Sequence, residues 1–201
     1  MSSNDQNIEV EIRALVENPE EVVNVLKKNN ATFKHSFSLH DVYFCPKHCS
    51  DVSEVEMDEV DSYSMRVRKT NKSGQESATI NSKTIISHGD HSAWEEHEVA
   101  VDNFGEAVHI LMRTEFKPFF ELVKTRSHYE LDGVEIFVEN IQDFGCGIEA
   151  EIVTSKDQVE QAKDKIREVL ALLGVSEEDI VEKSITNLVM KERAFKQNIT
   201  F

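Results

Sequence analysis

The sequence predicts an α+β fold: an antiparallel sheet of about eight strands curled into a barrel, with helices on its flanks. Three observations carry this. Stretches of alternating apolar and polar residues recur along the chain, the joins between them have hairpin composition, and a few segments pair a cap residue with helical apolar spacing. No linker rich in Pro, Gly or Ser interrupts the 201 residues, so residues 1–201 read as a single domain.

The elements follow in order. Alternation makes Glu9 to Val16 a strand. Asn18-Pro19-Glu20-Glu21 then starts a helix, with an Asn cap, Pro at the first position and acids in the first turn. That helix carries Val22, Val23, Val25 and Leu26 and ends in Lys27-Lys28-Asn29-Asn30. Strands are expected at Ala31–Phe37, His40–Phe44, Ser62–Lys69, Glu76–Thr84 and Ala93–Val101. Pro46 to Asp61 is acidic and poor in apolar residues, a long loop, while Asn71–Gln75 and Ser87–His91 are turns. Asp102 caps a second helix running to about Thr114. Strands resume at Phe119–His128, Tyr129–Leu131, Val134–Asn140 and Gly147–Val153, with Asp132-Gly133 as a tight hairpin turn. Ser155 caps a helix over about Asp157–Leu173 that Gly174 stops. Ser176 begins a short helical turn, and the tail after Ile185 is helical.

Composition narrows the function classes. A hydrophobic content of 39% with 11 Phe supplies a packed core. No stretch approaches the roughly 20 apolar residues needed to cross a bilayer, and Met1–Gln6 lacks the basic and apolar regions of a signal peptide. A cytoplasmic protein is expected. The formal charge of −16 argues against nucleic acid or an anionic membrane as partner, but not against a small anionic ligand met by locally gathered Lys and Arg. A homodimer is compatible with the sequence. Cys45, Cys49 and Cys146 are too few and too irregular for a disulfide framework. His40, Cys45, His48 and Cys49 do not have a standard zinc spacing, so free thiols in or beside a loop are expected.

Charged residues repeat on strand faces. In Glu9-Val-Glu11-Ile-Arg13, Val10 and Ile12 point one way, and the two carboxylates and the guanidinium point the other. Arg66 and Arg68 alternate with Met65 and Val67, Lys83 closes its strand, and Glu96 and Glu98 share a face. Lys124 and Arg126 share another face, Glu135 and Glu139 another, and Glu149 and Glu151 another. If these faces turn inward, they form a lumen that is costly to bury unless something charged fills it. A polyphosphate with its divalent cation fits, since guanidinium and ammonium hold phosphate and carboxylates hold Mg2+ or Mn2+. The alternative is an outward charged sheet with cross-strand pairs of about 0.2–1 kcal/mol each. Composition weighs the two equally.

The ordered series resembles the CYTH superfamily, the triphosphate tunnel enzymes that include class IV adenylate cyclases and thiamine triphosphatases. It runs from Glu9-Val-Glu11-Ile-Arg13 through Asp41-Val-Tyr43-Phe44, Met65-Arg66-Val-Arg68, Lys83 and Glu96-His-Glu98. It continues in Lys124-Thr-Arg126-Ser-His-Tyr129, Val138-Glu139-Asn-Ile141 with Gly145, Glu149-Ala-Glu151 and Lys183-Ser184-Ile-Thr-Asn187-Leu188. The later motifs look most like the class IV adenylate cyclase branch. The resemblance implies a single domain built as an eight-stranded antiparallel tunnel open at both ends. It implies Glu9, Glu11, Glu149 and Glu151 as ligands for one or two divalent ions, Mg2+ or Mn2+, with Glu139 as a further carboxylate. Arg13, Arg66, Arg68, Lys83, Lys124 and Arg126 would hold the triphosphate. Three positions depart from the family pattern: Trp94 where an Arg is usual, Glu139 for Asp, and Cys45 after Tyr43-Phe44.

Two enzymatic readings stay open. In a cyclase, the ribose 3′-hydroxyl of ATP attacks the α-phosphate and releases pyrophosphate. In a triphosphatase, water attacks the terminal phosphate of inorganic triphosphate, thiamine triphosphate or a nucleotide. By position, Lys124 or Glu98 is the general base, with Tyr43 orienting. Equally, Tyr43 is a core aromatic with a wet hydroxyl, and Glu98 only balances a tunnel arginine. A non-catalytic binder of polyphosphate or nucleotide, or an acidic scaffold, are the readings outside enzymology.

Overall fold

In the computed structural model, residues 8–55, 59, 62–85, 88, 94–181 and 184–193 are described. The expected turn at Ser87–His91 falls almost wholly outside them, as do part of the Pro46–Asp61 loop and Lys183. The strands are β1 (Ile8–Val16), β2 (Thr32–Pro46), β3 (Tyr63–Lys72), β4 (Gln75–Ile85), β5 (Trp94–Val101), β6 (Phe116–Leu131), β7 (Val134–Ile141), β8 (Gly145–Thr154) and the two-residue β9 (Ile180–Val181). The helices are α1 (Pro19–Lys28), α2 (Phe104–Met112), α3 (Val159–Leu172) and α4 (Ile185–Arg193). Among the described residues, no helix is long and apolar enough to cross a membrane.

All ladders are antiparallel, in the order β5-β4-β3-β2-β6-β7-β8-β1-β9. Among the described residues, the expected closed eight-stranded barrel is therefore corrected to an open nine-stranded sheet with β5 and β9 at its edges. The sheet nevertheless curls. Lys83 on β4 comes within 3.8 Å of Glu9 on β1, although the two strands lie near opposite ends of the order. Side chains, not backbone hydrogen bonds, bring the two flanks together.

Two expected strand pairs are single long strands. Ala31–Phe37 and His40–Phe44 form β2, and Phe119–His128 and Tyr129–Leu131 form β6. Their mutual ladder shifts register between Tyr43 and Phe44, where Phe44 pairs with Pro118 and Tyr43 with Phe120. Phe119 is the extra residue of that bulge, and Pro118, with no N–H to donate, is tolerated beside it. Asp132 and Gly133 both have positive φ, 52° and 76°, the backbone of a two-residue hairpin turn.

The caps follow the sequence at α1, where the Asn18 side chain accepts from the Glu21 N–H at 3.3 Å. At α2, Asn103 rather than Asp102 is the cap, accepting from the Glu106 N–H at 3.0 Å, and the helix ends at Met112. A 3-10 turn at Lys156–Gln158 precedes α3, so the Ser155 hydroxyl donates to the Asp157 carboxylate instead of capping the helix. Ser176 and Asp179 form a capping box on a one-turn 3-10 helix, as the sequence suggests.

Helices α1 and α3 cover the outer face of β1, β7 and β8. Val22, Leu26, Ile166 and Leu170 pack there with Val10, Ile12, Ala14, Ile136 and Ile148. Helix α2 packs Ala107 and Val108 on Val42, Phe44 and Val67. Helix α4 inserts Ile185, Val189 and Met190 among Tyr43, Phe119, Phe120, Leu122 and Ile141. Because the apolar half of β1 faces α1 and α3, its charged half faces inward.

Candidate active site

The inward face bounds a cavity of about 580 Å³ whose wall includes Glu9, Glu11, Arg13, Arg66, Arg68, Lys83, Lys124, Arg126, Glu149 and Glu151. Strand alternation places them together. Glu11 pairs with Glu151 and Arg13 with Glu149 across β1–β8, and Arg126 pairs with Glu139 across β6–β7.

Three carboxylates converge. Oxygens of Glu11, Glu149 and Glu151 lie within 4.8 Å of one another. Burial and the neighbouring Glu149 and Glu9 charges push the Glu151 carboxyl up to about 8. Burial acts the same way on Glu149, but Arg126 and Arg13 outweigh it and hold that carboxyl well below its usual range. Glu11 is only 4% exposed. Its Oε1 touches the Arg13 guanidinium, yet no donor meets that oxygen in hydrogen-bonding geometry. Hard oxygen donors that crowd one another, with one buried oxygen lacking a hydrogen bond, suit a divalent cation. The residues present therefore fit the expected metal.

The basic groups are held by acids. Asp41 is fully buried and receives two hydrogen bonds from Arg68, at 2.6 and 2.7 Å, with Arg66 3.7 Å away. Burial alone would raise its carboxyl, but Arg68 and Arg66 hold it well below the usual range. Arg66 also donates to the Tyr43 hydroxyl at 3.2 Å. Lys83 sits 3.1 Å from Glu96, and Asn81 donates to the same carboxylate. Lys124 donates to Glu139 at 2.7 Å. Arg126 bridges Glu139 and Glu149, and Arg13 reaches Glu149 at 3.0 Å. Burial and the Arg126 charge bring the Lys124 ammonium down to about 8, against the opposing pull of Glu139 and Glu149. The interior is thus an array of internal ion pairs. The expectation that only a ligand could offset this charge gives way to internal neutralisation, which a ligand would rearrange.

The structure brings most of the expected site residues together, with two exceptions. Glu139 stands apart from the carboxylate trio, 2% exposed and clamped by Lys124 and Arg126. Glu98 is exposed on β5 and accepts from the Thr79 hydroxyl at 3.3 Å, away from the cavity wall that Glu96 joins. Tyr43 lines the cavity and packs on Phe120.

The sequence assigned no role to Asp41, Asn81, Thr186 or Asn187, although Asp41 and Asn187 stand in the family-like motifs. The signal for Asp41 was a lone acid between Leu39, Val42 and Phe44 on a strand otherwise destined for the core. The family-like motif ending in Asn187-Leu188 covers the α4 residues, but only tertiary packing brings them to the cavity. The three cysteines are free, as expected, with Cys45 at the end of β2 beside the loop, and it and Cys49 are buried. Burial and Cys49 push the Cys45 thiol up to about 11.

The sequence profile of the CYTH domain family matches residues 7–185. A Methanocaldococcus jannaschii protein carrying the provisional name adenylate cyclase is 25% identical over 182 residues, which is 90% of this chain and 98% of that protein. A solved Pyrococcus horikoshii structure superposes with a TM-score of 0.76 at 25% identity, covering 92% of this chain and 99% of its own. A Hippeastrum protein, provisionally an adenylyl cyclase and described as having a dominant triphosphatase activity, has a TM-score of 0.60 at 15% identity. The matched regions span 93% of this chain and 95% of the Hippeastrum chain.

Proposed function

The chain belongs to the CYTH domain family, and from that premise we propose a divalent-metal-dependent enzyme that acts on a triphosphate, best read as an adenylate cyclase forming cyclic AMP and pyrophosphate from ATP. The observation that carries this is the Glu11–Glu149–Glu151 group on the same cavity wall as six basic side chains: Arg13, Arg66, Arg68, Lys83, Lys124 and Arg126. An anion binder alone gains nothing from carboxylates that face its ligand.

Glu11, Glu149 and Glu151 would hold Mg2+ or Mn2+, with Glu9 beside them. The ion supplies charge neutralisation and polarisation of phosphate oxygens when bound. Arg66, Arg68, Arg126 and Lys83 bind phosphate oxygens by exchanging their internal carboxylate partners for the ligand. Lys124, with its ammonium near neutrality at about pH 8, accepts the proton of the attacking 3′-hydroxyl as the oxygen bonds to the α-phosphorus and pyrophosphate leaves. Tyr43, positioned by Arg66, orients the substrate.

A triphosphatase needs the same phosphate and metal groups, and the Hippeastrum neighbour supports keeping it as the second reading. Purified protein incubated with Mg2+ or Mn2+ and ATP, inorganic triphosphate or thiamine triphosphate separates them. Cyclic AMP with pyrophosphate supports the cyclase. ADP or orthophosphate supports the triphosphatase. Tight binding with no turnover of any of the three supports a non-catalytic binder.

A further inference from the structure

A phenyl ring interrupts the charged strand faces. In Val134-Glu135-Ile136-Phe137-Val138-Glu139, the residues Val134, Ile136 and Val138 turn outward to pack under the helices, so Phe137 shares the inward face with Glu135 and Glu139. Phe137 is 9% exposed, lines the cavity and stands directly opposite Glu149 on β8 and His128 on β6. The Arg126 guanidinium lies over its ring, 4.4 Å from the centroid. The His128 imidazole stacks on the same ring, with centroids 4.4 Å apart and planes 20° from parallel. His128 is fixed in turn, since its Nε2 is hydrogen-bonded to the Glu135 carboxylate and the His35 ring meets it edge-on at 5.0 Å. These neighbours keep the phenyl ring from turning away from Arg126.

Arg126 is held in two physically different ways. Its Nε and one Nη donate to Glu139 and Glu149, so the carboxylates hold it by consuming the N–H groups that a phosphate would use. The phenyl ring attracts the guanidinium charge through its quadrupole and takes no N–H group. The difference matters because Glu149 has two claims on it: it partners Arg126, and it belongs to the carboxylate trio that suits a divalent cation. A cation that draws on Glu149 frees one side of Arg126 for an incoming anion. A freed guanidinium on a long side chain regains rotamer freedom, and binding then has to order it again. We propose that Phe137 is a positioning residue for Arg126, its ring holding the guanidinium in the cavity wall while the carboxylates give way to a cation and a phosphate. Phe137 itself touches neither ligand in this role and acts through Arg126.

This inference rests on the triphosphate reading of the charged wall, and the test keeps the two apart. Binding of inorganic triphosphate is measured by titration calorimetry in Ca2+, which occupies carboxylates while slowing turnover. The proteins compared are the unmodified chain, Phe137→Leu, and chains carrying mono-, di- or trifluorinated phenylalanine at position 137, with thermal melts to check folding. Fluorine drains the negative potential of the ring face with little change in size, so a purely packing role is blind to it. Affinity should fall stepwise along the fluorinated series, and Phe137→Leu should lose about fivefold to thirtyfold. In an Arg126→Gln background, where affinity is already reduced, Phe137→Leu should add no further loss. A flat fluorinated series, an undiminished affinity in Phe137→Leu, or an equal loss in the Arg126→Gln background would overturn the positioning role while leaving the triphosphate site standing. Failure of the unmodified protein to bind triphosphate would overturn the triphosphate reading and the role of Phe137 with it.

Discussion

Glu11 and Glu151 stand directly opposite each other in the β1–β8 ladder, and Glu149 brings a third carboxylate within 4.8 Å of both. Burial, and after it the like charges of Glu149 and Glu9, make Glu151 hold its proton to about pH 8. This repulsion is what a divalent cation relieves.

The sign of the pH dependence follows. Glu151 has a folded-state pKa of about 8 against 4.5 for the ordinary group. Between those values the folded state binds the extra proton, so the stability of metal-free protein falls as pH rises from about 4.5 to about 8. Mn2+ competes with that proton, and the melting-temperature gain on adding Mn2+ should grow across the same window. Glu151→Gln should flatten both trends. A gain that is equal at the two ends of the window, in both proteins, would refute the assignment. Differential scanning calorimetry across the range reads both.

Asp41 is the counter-charge on which Arg66 and Arg68 depend. Asp41→Asn leaves two guanidiniums without their buried partner and should cost about 3–5 kcal/mol in urea unfolding. Because its folded-state carboxyl lies below the ordinary 3.8, its stabilisation is complete above that pH and is lost as the pH falls below it. Acid unfolding of the variant should therefore be shallower than that of the parent.

Lys124 and Glu98 were equal candidates for the general base, and their placement separates them. Lys124→Met should lower turnover about 10²–10⁴-fold, while Glu98→Gln, changing an exposed side chain, should alter it less than about twofold. In the parent, turnover should climb with pH as Lys124 loses its proton and level off above about 8. Steady-state kinetics on the two variants, with circular dichroism to check folding, decides between them.

Gly147 is where α4 meets the sheet. A Cβ there would lie 2.5 Å from Ile185 Cδ1 and 3.3 Å from the Ala14 carbonyl oxygen. Gly147→Ala should destabilise by about 1–3 kcal/mol through displacement of Ile185. It should also weaken substrate binding, because the α4 cavity wall follows Ile185. Chemical denaturation and ligand titration on the same preparation read the two effects.

Much of this was legible in the residues themselves. The two-residue period of Glu9-Val-Glu11-Ile-Arg13 assigns its charges to one face whatever the strand packs against, because successive side chains alternate. Asn18-Pro19, Asp132-Gly133 and Gly174 mark their boundaries through backbone preferences that act over a few residues. Caps were less secure where two candidates adjoin. Asn103 displaced Asp102, and a 3-10 turn displaced Ser155, each a choice of one or two residues that the surrounding packing makes.

What the sequence by itself determined was which side chains share a strand face and the order and type of most of the strands and helices. Tertiary structure alone decided which partners the charges meet: Glu139 with Lys124 and Arg126 rather than with the carboxylate trio, Asp41 with both Arg66 and Arg68, and Glu98 with the Thr79 hydroxyl. It also decided that the sheet stays open between β5 and β9 and that α4 supplies part of the cavity wall. Alternation and capping are short-range, set by backbone sterics within a few residues. Cross-strand register, curl and helix docking depend on residues distant in the chain, and no local pattern encodes which partner a charged side chain will find.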